Sequence, residues 1–570
     1  MTLIKKPSLS VEATSKVNDN NPRRILFLSL EFNYSPFSGN GVLCRSLVTG
    51  LLSDNHHDMR SNTTNTPPVE VRVICAKPHP STPNLSSDID MNYPHLEIWP
   101  VELPKGSDSS SSDNQWKRLD RFGPWNVFQS AFNHDNDNFN NILLERIDEF
   151  EPTDVVAIDW HGMLAWQAII ASSTATTTMY NRWRKGQVSV CYYNFRVYSS
   201  SSWGDDDTDA QFYQEMEKLA CRLADGIICL SEHDKCALQQ LMQNDDTEEE
   251  EEEYTIRLVC QERKKKEMTI LPPPLRGDVC ELARMMTYQP VEQDSSSFLF
   301  DEYLPEHVKQ ALDYIQSQKQ STTNHQQQQR VFITCISRLS PEKSPHIFVN
   351  LLQQLGGVTF LRKHGLVPIL CGARSVESYA EVVIQSFRSV CSAEDGGDDD
   401  NDWPYIIVID HHLGPKELAS IFSHTILNIH PCLYDAYGMT MVESSAFGVP
   451  SVVNCGGKVG AASLLGEGLG CVALDLSGLD HDDDDDEMMG SGTAVGDKQE
   501  MDDLVVKKLK ELLVSRIEQG NDLENSCGST LAQVAKEARK RALGWDESSC
   551  SRGLLEKLNS LRLKTNEVAS

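Results

Sequence analysis

Two carboxylates, Asp435 and Glu443, stand in the stretch "YDAYGMTMVESSAFGVP" (residues 434–450), which is otherwise made of small and apolar residues. The preceding "TILNIHP" reads as a buried strand, "CLYDAYG" as a loop, and "MTMVESSAF" as a helix that stops at Gly448, with Pro450 just beyond. Asp435 then falls in the loop, and Glu443 lies little more than a turn into the helix. The backbone N–H groups of Tyr437, Gly438, Met439 and Thr440 are the unpaired donors expected where such a helix begins, and the helix dipole adds partial positive charge there. Carboxylates accept vicinal hydroxyls well and bind phosphate poorly. An anion cradle flanked by two of them therefore suits a ligand with both phosphate and sugar hydroxyls. The competing reading is internal: Asp435 caps the helix and Glu443 forms a buried ion pair.

Three further loops carry chemistry. "CISRLSPEKSPHI" places Arg338 and Lys343 five residues apart across a Ser-Pro turn after a predicted strand. A guanidinium can grip a diphosphate through two hydrogen bonds and an ammonium adds a point charge, although a solvated surface loop would look the same. "AIDWHG" puts Asp159, Trp160 and His161 at another strand end; His161 either donates to a substrate hydroxyl or carbonyl or is a satisfied structural histidine. "SPFSGNGV" follows the first strand, and Gly39 and Gly41 would let the backbone approach a ligand at a helix start, or merely make a tight turn. Its spacing is not G-x-G-x-x-G, so a dinucleotide fingerprint is absent.

These loops need a scaffold that brings strand ends together. Short apolar runs recur at "RRILFLSL", "VEVRVICA", "DVVAID", "VSVCYYN" and "DGIICLS", with helical patterns between most of them. Strands alternating with helices imply a parallel sheet covered on both faces. After "TILPPP" the cycle breaks, and a second series begins with "VFITCIS", "VPILCGA", "YIIVIDHH", "TILNIHP" and "PSVVNCGG". A chain of 570 residues exceeds one hydrophobic core. The expected layout is a disordered lead-in (1–23), a first α/β domain (24–274), a linker with an insertion (275–329), a second α/β domain (330–543) and a closing helical segment (544–570).

The formal charge of −31 is concentrated. Residues 245–253, 394–402 and 480–487 hold eight, six and seven acids with no basic residue, and taking those 21 from −31 leaves about −10, ordinary for a soluble protein. No nucleic-acid partner is expected of this chain. The uniform aspartate runs are too flexible to order around one cation, so they give no metal site. Sixteen cysteines, mostly in apolar runs and never as C-x-x-C, suggest buried reduced thiols and no cysteine-based zinc site. The first residues lack a secretory apolar stretch and no run approaches the ~18 apolar residues of a membrane span. A cytoplasmic protein is expected, with organellar targeting as the lesser alternative.

"CISRLSPEK" and "HPCLYDAYGMTMVESSAFGVPSVV" together resemble the group 1, family 4-like, retaining glycosyltransferases of GT-B fold. That family carries an acid, an aromatic-Gly pair, a second Glu eight positions after the acid, and an A-x-G-x-P ending, here "AFGVP". "DWHG" is similar to a segment of the starch and glycogen synthase branch, "SPFSGNG" sits where the family has a Gly-rich loop, and "GWDESSCSRGLLEKL" resembles its closing helix. The resemblance is strongest over residues 331–457. It implies two Rossmann-like domains with parallel sheets facing each other across a cleft, and a C-terminal helix crossing back to the first domain. It further implies that Arg338 and Lys343 hold the donor diphosphate, Glu443 the ribose hydroxyls, and Asp435 the donor sugar. Gly438, Met439 and Thr440 would complete the cradle, Gly39 and Gly41 would face it from the other domain, and His161 would reach the transferred sugar. The activity implied is metal-independent, retaining transfer from a nucleoside-diphosphate sugar, such as a UDP-sugar, to a carbohydrate, lipid or small-molecule hydroxyl, with no cofactor. Three departures stand out. Asp435 replaces the usual Glu, the loop "PILCGARS" lacks the usual Gly-x-Gly, and "ILPPPLRGD" replaces an expected Asn-Gly-Val turn at the hinge. An epimerase or hydrolase of nucleotide sugars and a non-catalytic scaffold are the competing classes.

Overall fold

The computed structural model describes residues 22–32, 39–61, 68–77, 93–103, 127–132, 137–172, 178–198, 207–243, 266–286, 300–320, 330–391, 406–480, 495–518 and 531–569. Most of the Gly-containing loop, the lead-in, nearly all of the acidic tracts and the Gln-rich tract lie outside them.

The first sheet has seven parallel strands in the order β3-β2-β1-β4-β5-β6-β7. They are β1 (Arg23–Leu28), β2 (Val69–Ala76), β3 (Leu96–Val101), β4 (Asp154–Ile158), β5 (Ser189–Tyr193), β6 (Gly226–Cys229) and β7 (Glu267–Ile270). The second has six, β10-β9-β8-β11-β12-β13: β8 (Phe332–Ile336), β9 (Val367–Cys371), β10 (Ile407–Ile409), β11 (Thr425–His430), β12 (Ser451–Asn454) and β13 (Val472–Leu474). All of the pairings are parallel. The central strands read as continuous apolar runs because both of their faces are covered; every residue of β4, β5, β8 and β11 is buried.

In both sheets the strand order reverses at one place, between β1 and β4 in the first and between β8 and β11 in the second. At such a reversal the connections leave toward opposite sides and open a crevice at the carboxyl ends. A buried side-chain ladder fixes the register at the second reversal: Thr334 Oγ1 donates to Asn428 Oδ1 and Asn428 Nδ2 to Ser451 Oγ, each at 3.1 Å. At the first, Arg23 on β1 grips Asp154 on β4 through two hydrogen bonds of 2.9 and 3.0 Å.

The segment 275–329, expected as a linker, contains the helices Gly277–Met285 and Glu306–Gln320, with Val279, Ala283, Val308 and Ala311 buried. The closing helix Glu547–Ala569 packs on the first domain: Ser551 Oγ donates to the Leu47 carbonyl at 3.1 Å and Lys557 Nζ to that of Glu267 at 3.1 Å. The helix before it, Leu531–Gly544, packs in the second domain against Met439–Ala446. This is the GT-B arrangement that the resemblance implied. Among the described residues no helix is long and apolar enough to cross a membrane.

Candidate active site

The loops that leave the two reversals carry the residues singled out in the sequence. β8 ends at Ile336, and the chain then turns through Arg338 into the short 3-10 helix Pro341–Lys343. β11 ends at His430 and passes through Cys432, Tyr434 and Asp435 to the helix Met439–Ala446. The two loops meet. Lys343 Nζ donates to Asp435 Oδ2 at 2.6 Å, and His430 Nε2 lies 3.2 Å from the same oxygen. Cys432 Sγ donates to the Lys343 carbonyl at 3.4 Å, which ties the loops together a second time.

The charges in this cluster are set by their neighbours. Burial alone would push the Asp435 carboxyl up, but the Lys343 ammonium and the His430 imidazole outweigh it and hold Asp435 well below the usual carboxylate range. Burial works against charge on His430, yet the Cys432 and Asp435 groups lift it to about 9. His430 therefore carries a proton at neutral pH. The ligand-capable atoms of His430, Cys432 and Asp435 lie within 4.8 Å of one another. A metal ion could use them only after Lys343 left Asp435 and His430 lost its proton.

Asp435 is fixed by backbone as well. Its N–H donates to the Lys458 carbonyl at 3.1 Å and its carbonyl accepts the Gly460 N–H at 3.0 Å. Only glycine fits at 460, because a Cβ there would lie 2.1 Å from the Ala436 carbonyl oxygen. Gly438, at φ 84°, caps the helix in the left-handed region with no side-chain hydrogen bond to the first turn. Met439 and Thr440 are half-buried in that uncapped first turn. Tyr437, expected as a fourth free donor, is already engaged, since its N–H donates to Asp435 Oδ1 at 3.3 Å.

Arg338 is ion-paired with Glu342 at 3.1 Å and remains partly exposed. Glu443 is buried and pairs with Arg276, whose Nε lies 3.1 Å from Oε1. The internal ion pair considered for Glu443 is thus present in this structure. Arg276 and His430 join the site although no motif named above singles them out. A cation in the Pro- and Gly-rich crossover "PPPLRGD" was the signal for the first; a histidine at the last position of a buried strand was the signal for the second.

On the facing domain, Gly39 and Gly41 lie in the first turn of the helix Gly39–Ser61 rather than in the preceding loop. A Cβ at Gly39 would meet the tip of the Phe195 ring at 2.3 Å, so a side chain there would have to displace that ring. His161 lies inside the helix Asp159–Ala171 with no exposed surface, edge-on to the rings of Phe128 and Trp160, with centroids at 6.3 and 5.7 Å. Burial pushes its pKa down to about 3, so the ring is neutral. The strand end itself is occupied by Asp159, at φ 61°, whose carboxylate accepts from Trp160 N at 2.9 Å and Tyr198 Oη at 3.2 Å. Burial, only partly offset by these bonds and by Asn40 and Arg196, lifts it to about 7.

The domains touch beside Asp435. Tyr434 Oη donates to Asp234 Oδ1 at 2.8 Å, and Asp234 also accepts from Ser231 Oγ at 2.6 Å. The Arg196 guanidinium stands 5.3 Å from the centroid of the Tyr434 ring. The carboxyl ends of β5 and β6 thus face the loop after β11.

No known protein family's sequence profile matches the chain. No curated protein sequence matches it either. Its fold, however, is shared with solved structures across nearly its whole length. A sucrose-phosphate synthase from Thermosynechococcus elongatus superposes with a TM-score of 0.53 at 11% identity, covering 95% of this chain and 99% of its own. An E. coli trehalose-6-phosphate protein bound with UDP-2-fluoro glucose gives 0.53 at 11%, covering 94% and 98%. The N-terminal domain of Candida albicans trehalose-6-phosphate phosphatase gives 0.55 at 12%, covering 97% and 99%. At these identities the likeness establishes the fold.

Proposed function

We propose that this protein is a retaining glycosyltransferase that moves a sugar from a nucleoside-diphosphate sugar, with a UDP-sugar as the first candidate, to a hydroxyl acceptor. The observation that carries the reading is the meeting of Lys343, His430 and Asp435 beside the uncapped start of the helix Met439–Ala446, at the strand reversal of the second sheet. The site therefore combines fixed cations, free N–H donors and carboxylates at the place where α/β sheets take ligands. A shared fold with a protein solved with UDP-2-fluoro glucose supports the donor class.

In the proposed reaction the donor diphosphate lies against Arg338, Lys343 and the N–H groups of Gly438, Met439 and Thr440. The bond between the sugar and the diphosphate breaks first, and these groups stabilise the charge that develops on the leaving oxygen. The acceptor hydroxyl then attacks from the same face, its oxygen bonding to the sugar and its proton passing to the leaving phosphate oxygen, giving retention. Arg338 must exchange Glu342 for phosphate, and Lys343 must share itself between phosphate and Asp435. Asp435 contacts the donor sugar; its side chain is one methylene shorter than the family's Glu, roughly 1.5 Å less reach. Glu443 accepts the ribose hydroxyls. His161, which has no exposed surface, is assigned to the wall behind the sugar in place of direct contact. Fixed cations perform the charge neutralisation, so the reaction is proposed to run without metal or cofactor.

One specific feature favours a second reading, a non-catalytic binding protein: Arg338, Lys343 and Glu443 each already have an internal partner. The fold also occurs in the N-terminal domain of a phosphatase, so fold alone carries no activity. Arg338→Ala and Lys343→Ala decide between the readings. Both variants should keep the native circular dichroism spectrum and lose sugar transfer, Lys343→Ala with a lowered urea midpoint because Asp435 keeps only His430 beside it; near-normal turnover in either sinks the assignment.

A further inference from the structure

Arg276 is the one cation in direct contact with Glu443 among the described residues. It leaves the first domain after β7 and immediately precedes the helix Gly277–Met285. Its Nε lies 3.1 Å from Glu443 Oε1 and 3.4 Å from Asp278 Oδ1. Asp278 Oδ2 in turn stands 3.9 Å from Arg45 of the helix Gly39–Ser61. Glu547, in the first turn of the closing helix, accepts the Gly277 N–H at 3.1 Å. One guanidinium thus sits where four segments converge: the first helix of the first domain, the crossover, the closing helix, and the helix that carries Glu443.

We propose that Arg276 is a positioning residue of the nucleoside subsite: it holds the Glu443 carboxylate in place to accept ribose hydroxyls and couples that grip to the junction between the two domains. The proposal rests on the assignment of Glu443 to the ribose. Its physical basis is the burial of Glu443. Withdrawal from water favours the protonated form of a carboxyl, and protonation turns one acceptor oxygen into a donor and removes the charge that makes the carboxylate a strong acceptor for two hydroxyls. Burial raises the Glu443 pKa, the Arg276 charge opposes that rise, and Asp278 adds to it. Burial in turn works against the charge on Arg276, but Glu443, Asp278 and Glu547 outweigh it and hold the guanidinium protonated.

The other charged or titratable groups nearby leave this role to Arg276. Tyr437 presents a phenol whose pKa is raised mainly by its burial. On the packed helix Gly277–Met285, Arg284 pairs with Asp546 at 3.0 Å and Glu281 is exposed. On the packed helix Leu531–Gly544, Arg539 donates to the carbonyls of Ala446, Ala283 and Met286, and Arg541 pairs with Glu537 at 2.8 Å. The helix Gly460–Leu465 and β12 carry no charged residue, and His430 of β11 is engaged with Asp435.

The test is calorimetric binding of UDP, GDP and ADP to the full chain between pH 6 and 8.5, using whichever binds the unmodified protein most tightly. The unmodified protein should show only the shallow pH dependence that Glu547, lifted to about 7, imparts to every variant. Arg276→Met should bind at least tenfold more weakly at pH 6 and recover as rising pH ionises Glu443. Glu443→Gln should bind weakly at every pH. An Arg276→Met variant that matches the unmodified protein, or is weakened by one factor across the whole range, overturns the inference while leaving the nucleotide site intact. If Arg276→Met fails to fold, Arg276→Lys decides: it keeps the charge and should keep the pH profile of the unmodified protein, and a steeper profile or binding as weak as that of Glu443→Gln overturns the role. Absence of binding by the unmodified protein overturns the functional reading itself and the inference with it.

Discussion

His430→Gln offers a quantitative test of the charge arrangement around Asp435. The imidazole is buried, 3.2 Å from Asp435 Oδ2, and its pKa is lifted from 6.5 to about 9. At about 1.4 kcal/mol for each tenfold change in proton affinity, that rise is worth about 3 kcal/mol of folding stability. Because the folded-state pKa is the higher one, the contribution is complete below pH 6.5, declines as pH rises, and is gone above about 9. Asp435 has the opposite sign: its depressed pKa gives stability that is present above the ordinary carboxylate pKa and lost on acidification. Glutamine can still donate to Asp435 but does not titrate. The stability difference between the unmodified protein and His430→Gln, from urea denaturation followed by far-UV circular dichroism, should fall by about 3 kcal/mol between pH 6.5 and 9. Taking the difference cancels Asp159 and Glu547, both lifted to about 7, and the buried thiols such as Cys335, which titrate in both proteins. A difference that stays flat across this range would refute a charged imidazole held by Cys432 and Asp435.

Three further outcomes follow from the geometry. Gly460→Ala forces a Cβ to within 2.1 Å of the Ala436 carbonyl and should cost about 2 kcal/mol or more, seen as a lowered urea midpoint, and displace Asp435 enough to abolish sugar transfer. Asp234→Ala removes the acceptor of the Tyr434 hydroxyl and should loosen the two domains, giving a larger radius of gyration by small-angle X-ray scattering with little change in circular dichroism. Asp159→Asn keeps a residue type that tolerates φ 61° and removes a buried charge; because the folded pKa of Asp159 is raised from 3.8 to about 7, the variant should gain on the unmodified protein from pH 4 to 7 and then hold a constant advantage. A pH-independent difference in thermal midpoints would show that Asp159 does not titrate in that range.

Much of the scaffold was legible because buried parallel strands leave an unambiguous trace. The runs "VEVRVICA", "DVVAID" and "VSVCYYN" coincide with β2, β4 and β5 to within a residue or two. β3 was not legible: it is an edge strand that contains Pro100 and alternates in burial, and proline inside a run argues against a strand. β13 has only three residues, too few to set a period. Within the site, the loop that carries Arg338 and Lys343 and the helix start at Met439 were readable from turn residues and glycine placement. What the sequence did not reveal were contacts between distant segments. Arg276 and Glu443 are separated by more than a hundred and fifty residues, and nothing local marks them as partners. His161 has the residue type of a catalytic group, yet its place in a helix among Phe128 and Trp160 depends on tertiary packing. Gly39 leaves room for the ring of Phe195, which comes from another strand end.

The most direct test of the proposed activity is release of nucleotide from a panel of UDP-, GDP- and ADP-sugars, with and without EDTA and candidate hydroxyl acceptors. Release is expected from one donor class, insensitive to EDTA and lost in Glu443→Ala. Silence across the panel, together with no thermal shift on adding any of the nucleotides, would contradict it and leave the non-catalytic reading.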